Sequence, residues 1–407
     1  MHCETDVLIV GGGLVGASLA CALGQAGVAV ALVEAYPLSI DDQPGFDERS
    51  IALAQGSRRI FDGLGLWAPL QADVCPIHMI HVSDRGRFGF TRLRREQEGV
   101  PALGYVATSR VLGKVLLRRL AELDNIQVLA PAQLNTFNTD KGGVQAQLTR
   151  DGQPVEVRAR LMVAADGAQS TVRSQLGIGV RQEDYGQTAV IANVGTELAH
   201  RHTAWERFTD TGPMALLPMT EQRCALVWTV RSEQSSELLG LDDSVFLQRL
   251  QKRFGWRLGR FLKVGKREAY PLQLVQAEEN VRTRLALIGN AVHTLHPVAG
   301  QGFNLGLRDV AALAEVLVDA RQQGVDIGDK IVLQAYADWR RVDQQRVVLF
   351  TDSMVRLFSQ SFPPVACARD AGMLAMDLFP PAKRWFGRLA MGRAGRLPRL
   401  SRGLRLS

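Results

Sequence analysis

Two glycine-bearing loops carry most of the chemistry that this chain can offer. The first is Gly289-Asn290-Ala-Val-His293-Thr-Leu-His296-Pro297-Val-Ala-Gly300-Gln301-Gly302-Phe-Asn304, which follows the apolar run Leu285-Ala-Leu-Ile288 and leads into Leu305-Gly-Leu-Arg-Asp309. A loop of this kind opening a helix presents unpaired backbone N–H groups and the positive end of the helix dipole, an arrangement suited to an anionic cofactor edge. The second is Gly11-Gly12-Gly13-Leu14-Val15-Gly16, in which Gly11, Gly13 and Gly16 match G-x-G-x-x-G. Those three positions serve a tight turn, close backbone approach to a pyrophosphate, and close helix–strand packing. Glu34, about 18 residues past Gly16, stands where an acid can bind the hydroxyls of an adenosine ribose.

The elements around these loops are those that dinucleotide binding requires. Asp6-Val-Leu-Ile-Val10 reads as a buried strand, Ala17 to Leu23 as a small-residue helix, and Val28 to Val33 as the returning strand that ends at Glu34. A third motif, Asp166-Gly167, follows the strand Ala159 to Ala165, and short strands with turns at Lys141-Gly142-Gly143 and Asp151-Gly152 precede it. Ala189 to Val194, Met214 to Leu217 and Cys224 to Val230 predict an antiparallel sheet, interrupted by a helix over Ser244 to Phe254, as an inserted substrate domain would be. Helices are expected over Leu305 to Val318 and Lys330 to Phe350.

With 407 residues and 46% hydrophobic content, the chain can bury a large core in two or three domains. Its five cysteines contain no C-x-x-C pair, which argues against a disulfide framework and a zinc site and suits a reducing cytosol. The first strand leaves no room for a signal peptide, and no apolar run reaches the ~18–20 residues of a membrane span. The net charge of +7 is a property of the C-terminal end: Lys383, Arg384, Arg388, Arg393, Arg396, Arg399, Arg402 and Arg405 follow the last acid, Asp377, and leave the preceding body at −1. Trp385, Phe386, Leu389, Met391, Leu397, Leu400, Leu404 and Leu406 interleave with them. Such a tail could lie on an anionic membrane surface or fray into solvent, its glycines opposing one continuous helix. Nucleic acid is not an expected partner, because the body has no basic excess.

The three ordered motifs, Gly11-x-Gly13-x-x-Gly16, Asp166-Gly167 and Gly289-Asn290-x-x-His293 with Pro297-x-x-Gly300-Gln301-Gly302, resemble those of single-component flavoprotein aromatic hydroxylases. The fold expected from this resemblance is that of p-hydroxybenzoate hydroxylase, an α/β (α+β) architecture with a Rossmann-like FAD domain. Pro44-Gly-Phe-Asp-Glu-Arg49-Ser-Ile-Ala-Leu, Val82-Ser-Asp-Arg85-Gly, Ala189 to Val194 and Glu206-Arg-Phe-Thr with Leu216-Leu-Pro218-Met219 are similar to segments of the ubiquinone-biosynthesis hydroxylases, especially those acting on a 2-polyprenyl-6-methoxyphenol. The likeness is expected from Val7 to about Pro381. It implies an FAD domain made of 1–75, 100–175 and 280–330, a substrate domain of 76–99 and 176–279, C-terminal helices over 331–381, and a basic apolar tail over 382–407.

The resemblance also assigns roles. Gly11, Gly13 and Gly16 would approach the FAD pyrophosphate, with Asp166 near it and Glu34 at the adenosine ribose. Arg49 and Arg110 would lie beside the flavin and its phosphates. Gly289 and Asn290 would meet the ribityl chain, while Gly300, Gln301 and Gly302, at the start of the helix through Asn304, would bring amides near the flavin pyrimidine ring. Asn290 departs from the Asp usual in the superfamily, retaining an acceptor but removing a charge. NAD(P)H would reduce the FAD transiently, and one atom of O2 would pass to a polyprenyl-phenol ring. His296, His293 and Tyr185 are the titratable candidates near such a ring, but each reads more readily as a packing or capping residue, so no catalytic base is assigned. A cytoplasmic enzyme peripheral on the inner face of the membrane, or held in a biosynthetic assembly through its tail, would meet such a substrate. Alternatives are a hydroxylase acting at another ring position, a flavin-dependent isoprenoid reductase and a non-catalytic flavoprotein scaffold. A flavin halogenase is disfavoured, because Trp205, Trp228 and Trp256 do not form the W-x-W-x-I motif.

Overall fold

A computed structural model describes residues 2–39, 47–295, 300–359 and 363–406. Its first sheet has eight strands, ordered β18 (Val281–Arg282), β19 (Leu285–Leu287), β11 (Gln153–Ala164), β1 (His2–Val10), β2 (Val30–Val33) and β8 (Ile126–Leu129), with β9 (Gln133–Thr139) and β10 (Val144–Arg150) continuing antiparallel from β11. From β19 through β8 the strands run parallel. Side chains alternate across β1, so Val7 and Ile9 enter one core with Leu19, Leu23 and Leu313, while Leu8 and Val10 enter another with Val144, Val157 and Met162. A strand covered on both faces needs an unbroken apolar run, which Val7 to Val10 supplies.

The second sheet has nine strands, in the order β20 (His293–Thr294), β17 (Glu268–Ala277), β12 (Val180–Thr196), β15 (Arg223–Arg231), β14 (Gly212–Pro218), β13 (Thr203–Thr209), β5 (Met79–Asp84) and β6 (Phe90–Arg94), with β16 (Phe261–Val264) also on β12. All its pairings are antiparallel except β13 with β5. One face buries Val190, Val194, Met214, Leu226 and Trp228 against Phe246, Leu250 and Phe254. A third sheet, β3 (Ser50–Ala54), β7 (Gly104–Thr108) and β4 (Cys75–Ile77), packs Leu53 and Ala107 into the core that holds Val7 and Ile9, and Ile77 and Val106 with Leu93 and Ala225 of the second sheet.

Twelve helices are described: α1 (Leu14–Gln25), α2 (Gln55–Gly63), α3 (Trp67–Leu70), α4 (Arg95–Glu98), α5 (Ser109–Ala121), α6 (Thr171–Gln175), α7 (Ser232–Gly240), α8 (Asp243–Phe254), α9 (Gln301–Gln322), α10 (Lys330–Ser359), α11 (Pro363–Leu378) and α12 (Pro380–Ala390). None of them is long and apolar enough to cross a membrane. The C-terminal segment differs from the free tail that its composition allows. After α12 the chain folds back, Leu400 and Leu406 entering the core shared with α1 and α9. Gly56 N–H donates to Met391 C=O at 2.9 Å, and the Arg396 guanidinium lies 4.0 Å from the Trp339 ring centre. Arg399 pairs with Glu315 and Asp319 of α9. Two acids on α9 answer a cation, Arg399, that the linear sequence leaves unpaired.

Candidate active site

Four adjacent parallel strands deliver the residues that follow them to one edge of the first sheet: β2 leads to Glu34, β1 to Gly11, β11 to Asp166 and β19 to Gly289. The carboxyl ends of parallel strands are where such sheets bind ligands. Gly11, at φ +105°, passes so close to β11 that a Cβ there would stand 2.4 Å from the Ala165 carbonyl oxygen. At Gly16 a Cβ would come within 1.9 Å of the Gly11 carbonyl oxygen, which forces α1 against the turn. Gly13 caps α1 without a side-chain hydrogen bond and has open space where a Cβ would point. Glu34 accepts from Gly12 N–H at 2.7 Å and from Tyr36 N–H at 3.0 Å, so its carboxylate is held at the mouth of this turn. Asp166 Oδ2 accepts from Val172 N–H at 3.1 Å, while its Oδ1 is buried without a protein partner.

The late loop is tied down by side chains. Asn304, 1% exposed, uses its whole amide on neighbouring groups: Oδ1 accepts from Ala54 N–H at 2.8 Å and Ser57 Oγ–H at 2.6 Å, and Nδ2 donates to Ala52 C=O and Gly300 C=O. Its part in a cofactor site is therefore to position the Gly300 to Gly302 turn against β3. Gly300, in the left-handed region at φ +59°, packs on Ala52, and Gly302 opens to empty space. Gly289 lies against Val15 of α1, which joins the two glycine loops, and Asn290 is exposed.

Beneath this loop lies a buried charge network. Asp309 Oδ2 meets His293 Nε2 at 2.8 Å, and Oδ1 accepts from Arg340 Nε at 2.8 Å and Gln344 Nε2 at 3.0 Å. Burial alone would raise the Asp309 carboxyl's pKa, but Arg340 and His293 overcome it and hold the group below the usual carboxylate range. His293 is thereby occupied with Asp309. Tyr185 donates to Asp352 at 3.3 Å, and burial beside that carboxylate raises its pKa far above the ordinary phenol value. His296 and Pro297 lie outside the described residues, as do Pro44 to Phe46 of the segment leading to Arg49.

Arg49, Arg110 and Ser50 line a cavity of about 680 Å³ whose far wall is the second sheet, through Ile191, Asn193, Ala225 and Val227. Arg49 pairs with Asp47 at 2.5 Å and lies 5.3 Å from the Tyr270 ring centre, while Arg110 pairs with Glu48 at 3.0 Å. Tyr270 donates to Glu268 at 2.7 Å; burial and that bond push its pKa up to about 12. Sequence reasoning missed Asp309, Arg340 and Arg173, the last of which bridges the Asp166 loop to the 289–291 turn through Ala168 C=O and Ala291 C=O at 2.7 and 2.9 Å. An ionised residue within the apolar run of α9 was the available signal for Asp309; Arg173 offered none.

A pyrophosphate-linked cofactor fits these residues: an uncapped helix start, glycines with space in front of them, and an unpartnered acid oxygen converge at one sheet edge. The sequence profile described as an FAD binding domain matches residues 4–351. The chain belongs to this family of FAD-dependent monooxygenases. Among relatives, ubiquinone hydroxylase UbiL of Rhodospirillum rubrum is 45% identical over 404 residues, covering 98% of this chain and 93% of its own. That coverage carries the likeness past the expected limit at Pro381 into the C-terminal segment. The 3-demethoxyubiquinol 3-hydroxylase of Escherichia coli is 32% identical over 391 residues, covering 95% of this chain and 98% of its own. The p-nitrophenol 4-monooxygenase of Pseudomonas putida superimposes with a TM-score of 0.82 at 20% identity, over 98% of this chain and 100% of that one, which shows the shared hydroxylase fold. In this monooxygenase the FAD would rest on the Gly11 to Gly16 turn, Glu34 and Asp166 at one end and on the Gly300 to Gly302 loop at the other.

Proposed function

We propose that this monooxygenase hydroxylates the ring of a polyprenylated phenol in ubiquinone biosynthesis. The observation that carries the reading is the cavity between Arg49–Ser50 and the apolar wall of Ile191, Ala225 and Val227, large enough for a substituted aromatic ring. Bound FAD would supply electrons taken from NAD(P)H and the activated oxygen. The chain's own part is to place the N–H groups at the start of α9 toward negative charge on a reduced ring, to orient the phenol, and to keep water from it. A 2-polyprenyl-6-methoxyphenol is the preferred substrate on the likeness of the sequence segments, although the relative from Escherichia coli carries the name of a 3-hydroxylase acting on a demethoxyubiquinol. A short-tailed 2-prenyl-6-methoxyphenol should accelerate anaerobic flavin reduction by NADPH, and admission of labelled O2 should put one labelled atom into a hydroquinone. Reduction without labelled product would instead indicate a reductase, and no response to the phenol would reject the reading.

Contact with a lipid surface is a second part of this proposal. At the α11–α12 corner Leu378, Phe379 and Trp385 are 81%, 59% and 67% exposed, with Arg384 and Arg388 exposed beside them. Replacing the three apolar residues by Gln should reduce binding to anionic vesicles, whereas unchanged partition would remove this corner as the contact. Deleting the whole segment after Pro381 is a poorer test, because Leu400 and Leu406 belong to the core.

A further inference from the structure

Cys75, His200 and His202 bring a sulfur and two ring nitrogens within 4.8 Å of one another, the one such group of three metal-ligating side chains among the described residues. No spacing in the sequence announces it, for His202 lies 127 residues from Cys75. The two histidines belong to the tight turn that enters β13. His200 C=O accepts from Thr203 N–H at 2.9 Å, and Arg201 and His202 between them adopt φ of +49° and +56°. Bulky residues seldom take this left-handed conformation, and here it turns both imidazoles toward the start of β4, with ring centres 5.7 Å apart.

The hydrogen bonds resemble those of a ligand set. His200 Nε2 faces Met219 C=O at 3.0 Å, so Nε2 must carry the proton and Nδ1 the lone pair, and metal-binding histidines are commonly oriented by such a donation to a carbonyl. At present that Nδ1 accepts the His202 backbone N–H at 3.1 Å, a bond to be given up on ligation. Cys75 Sγ stands 3.5 Å from His202 Nδ1. Tetrahedral zinc with Zn–S of ~2.3 Å and Zn–N of ~2.05 Å separates sulfur from nitrogen by roughly 3.6 Å, so this pair already has a suitable span. Cys75 and His200 are buried and His202 is half-buried, which leaves one side open to a water ligand. Arg95, the nearby cation, is engaged by His78, at 2.9 Å from its Nε2.

We propose that Cys75, His202 and His200 bind one borderline-soft divalent cation of the zinc class. Occupation ties β4 to the β12–β13 turn. It also secures Met219, whose sulfur lies 3.4 Å from Ser50 Oγ at the cavity wall. The site is separate from the flavin loops and does not depend on the substrate assigned above.

Cobalt is the probe, added to the purified flavin-loaded protein. One equivalent of Co2+ should produce a near-ultraviolet thiolate charge-transfer band that one equivalent of Zn2+ abolishes. Cys75→Ser should eliminate the band, and His202→Gln should weaken Co2+ binding by at least about tenfold, each with flavin content and circular dichroism unchanged. Cys367→Ser, at an exposed thiol, should leave the band intact. Absence of the band in the unmodified protein means that the cluster is only a hydrogen-bonded packing motif and overturns the proposal. A band that survives Cys75→Ser, or follows Cys367, does the same. Should Cys75→Ser fail to fold, undiminished affinity in His202→Gln still decides against it.

Discussion

The two helix starts that frame the proposed flavin site are held in different ways. At α1 the backbone does the positioning: Gly11 and Gly16 touch neighbouring carbonyls at distances that exclude any side chain, and Gly13 offers an uncapped N-terminus. At α9 the loop is placed by side chains, with Asn304 clamping it to β3 and Asp309 joining Gly289, His293, Arg340 and Gln344 beneath it. A pyrophosphate needs little more than close N–H groups and a dipole, whereas a reacting ring must be set against a second domain. The backbone alone can satisfy the first requirement. The second draws on groups from distant parts of the chain.

The largest effect is expected from removing the buried anion. Asp309→Ala leaves Arg340 charged and His293 without its partner, and should cost about 3–5 kcal/mol in denaturant unfolding. Because the folded carboxyl's pKa lies below its unfolded value, its stabilisation is present above about pH 3.8 and is lost on further acidification, so the variant's stability should vary less with pH in that range. A loss under 1 kcal/mol would mean that the network does not hold the late loop. Next is Gly16→Ala, where the added Cβ meets Gly11 C=O; FAD affinity should fall about 100-fold, near 2.7 kcal/mol, and ADP affinity should fall with it. Asn304→Ala should cost about 1–3 kcal/mol of stability and weaken FAD binding while sparing ADP, since the clamp lies at the α9 end. Equal losses for FAD and ADP would erase the distinction between the two helix starts. The smallest change is Asn290→Asp at an exposed position. Exchanging a neutral for a charged acceptor should raise FAD affinity by no more than about fivefold in a flavin titration.

Much of the first helix start was legible. Gly11, Gly13 and Gly16 sit a few residues apart between a strand and a helix, so their local spacing reports their local task. The antiparallel strands over 189–194, 214–217 and 224–230 were legible for the same reason, their alternation and turns being local. Asn304 was visible as the opening of a helix, yet its four bonds reach Ala52, Ala54, Ser57 and Gly300, three of them about 250 residues away. The basic tail misled because Arg399 finds its partners, Glu315 and Asp319, on α9.

By itself the sequence determined a dinucleotide-binding βαβ unit at Gly11 to Glu34, the Asp-Gly and Gly-Gln-Gly loops that accompany it, and an inserted antiparallel sheet. These follow from periodicity and glycine spacing, which act over a few residues. Only the tertiary structure decided that four strand ends meet at one edge, that Asp309 is buried among cations, that the C-terminus closes on α1 and α9, and that Cys75 faces His200 and His202. Each of these depends on which side chains the packed sheets bring within a few ångströms, and loop closure sets that with almost no trace in the local pattern.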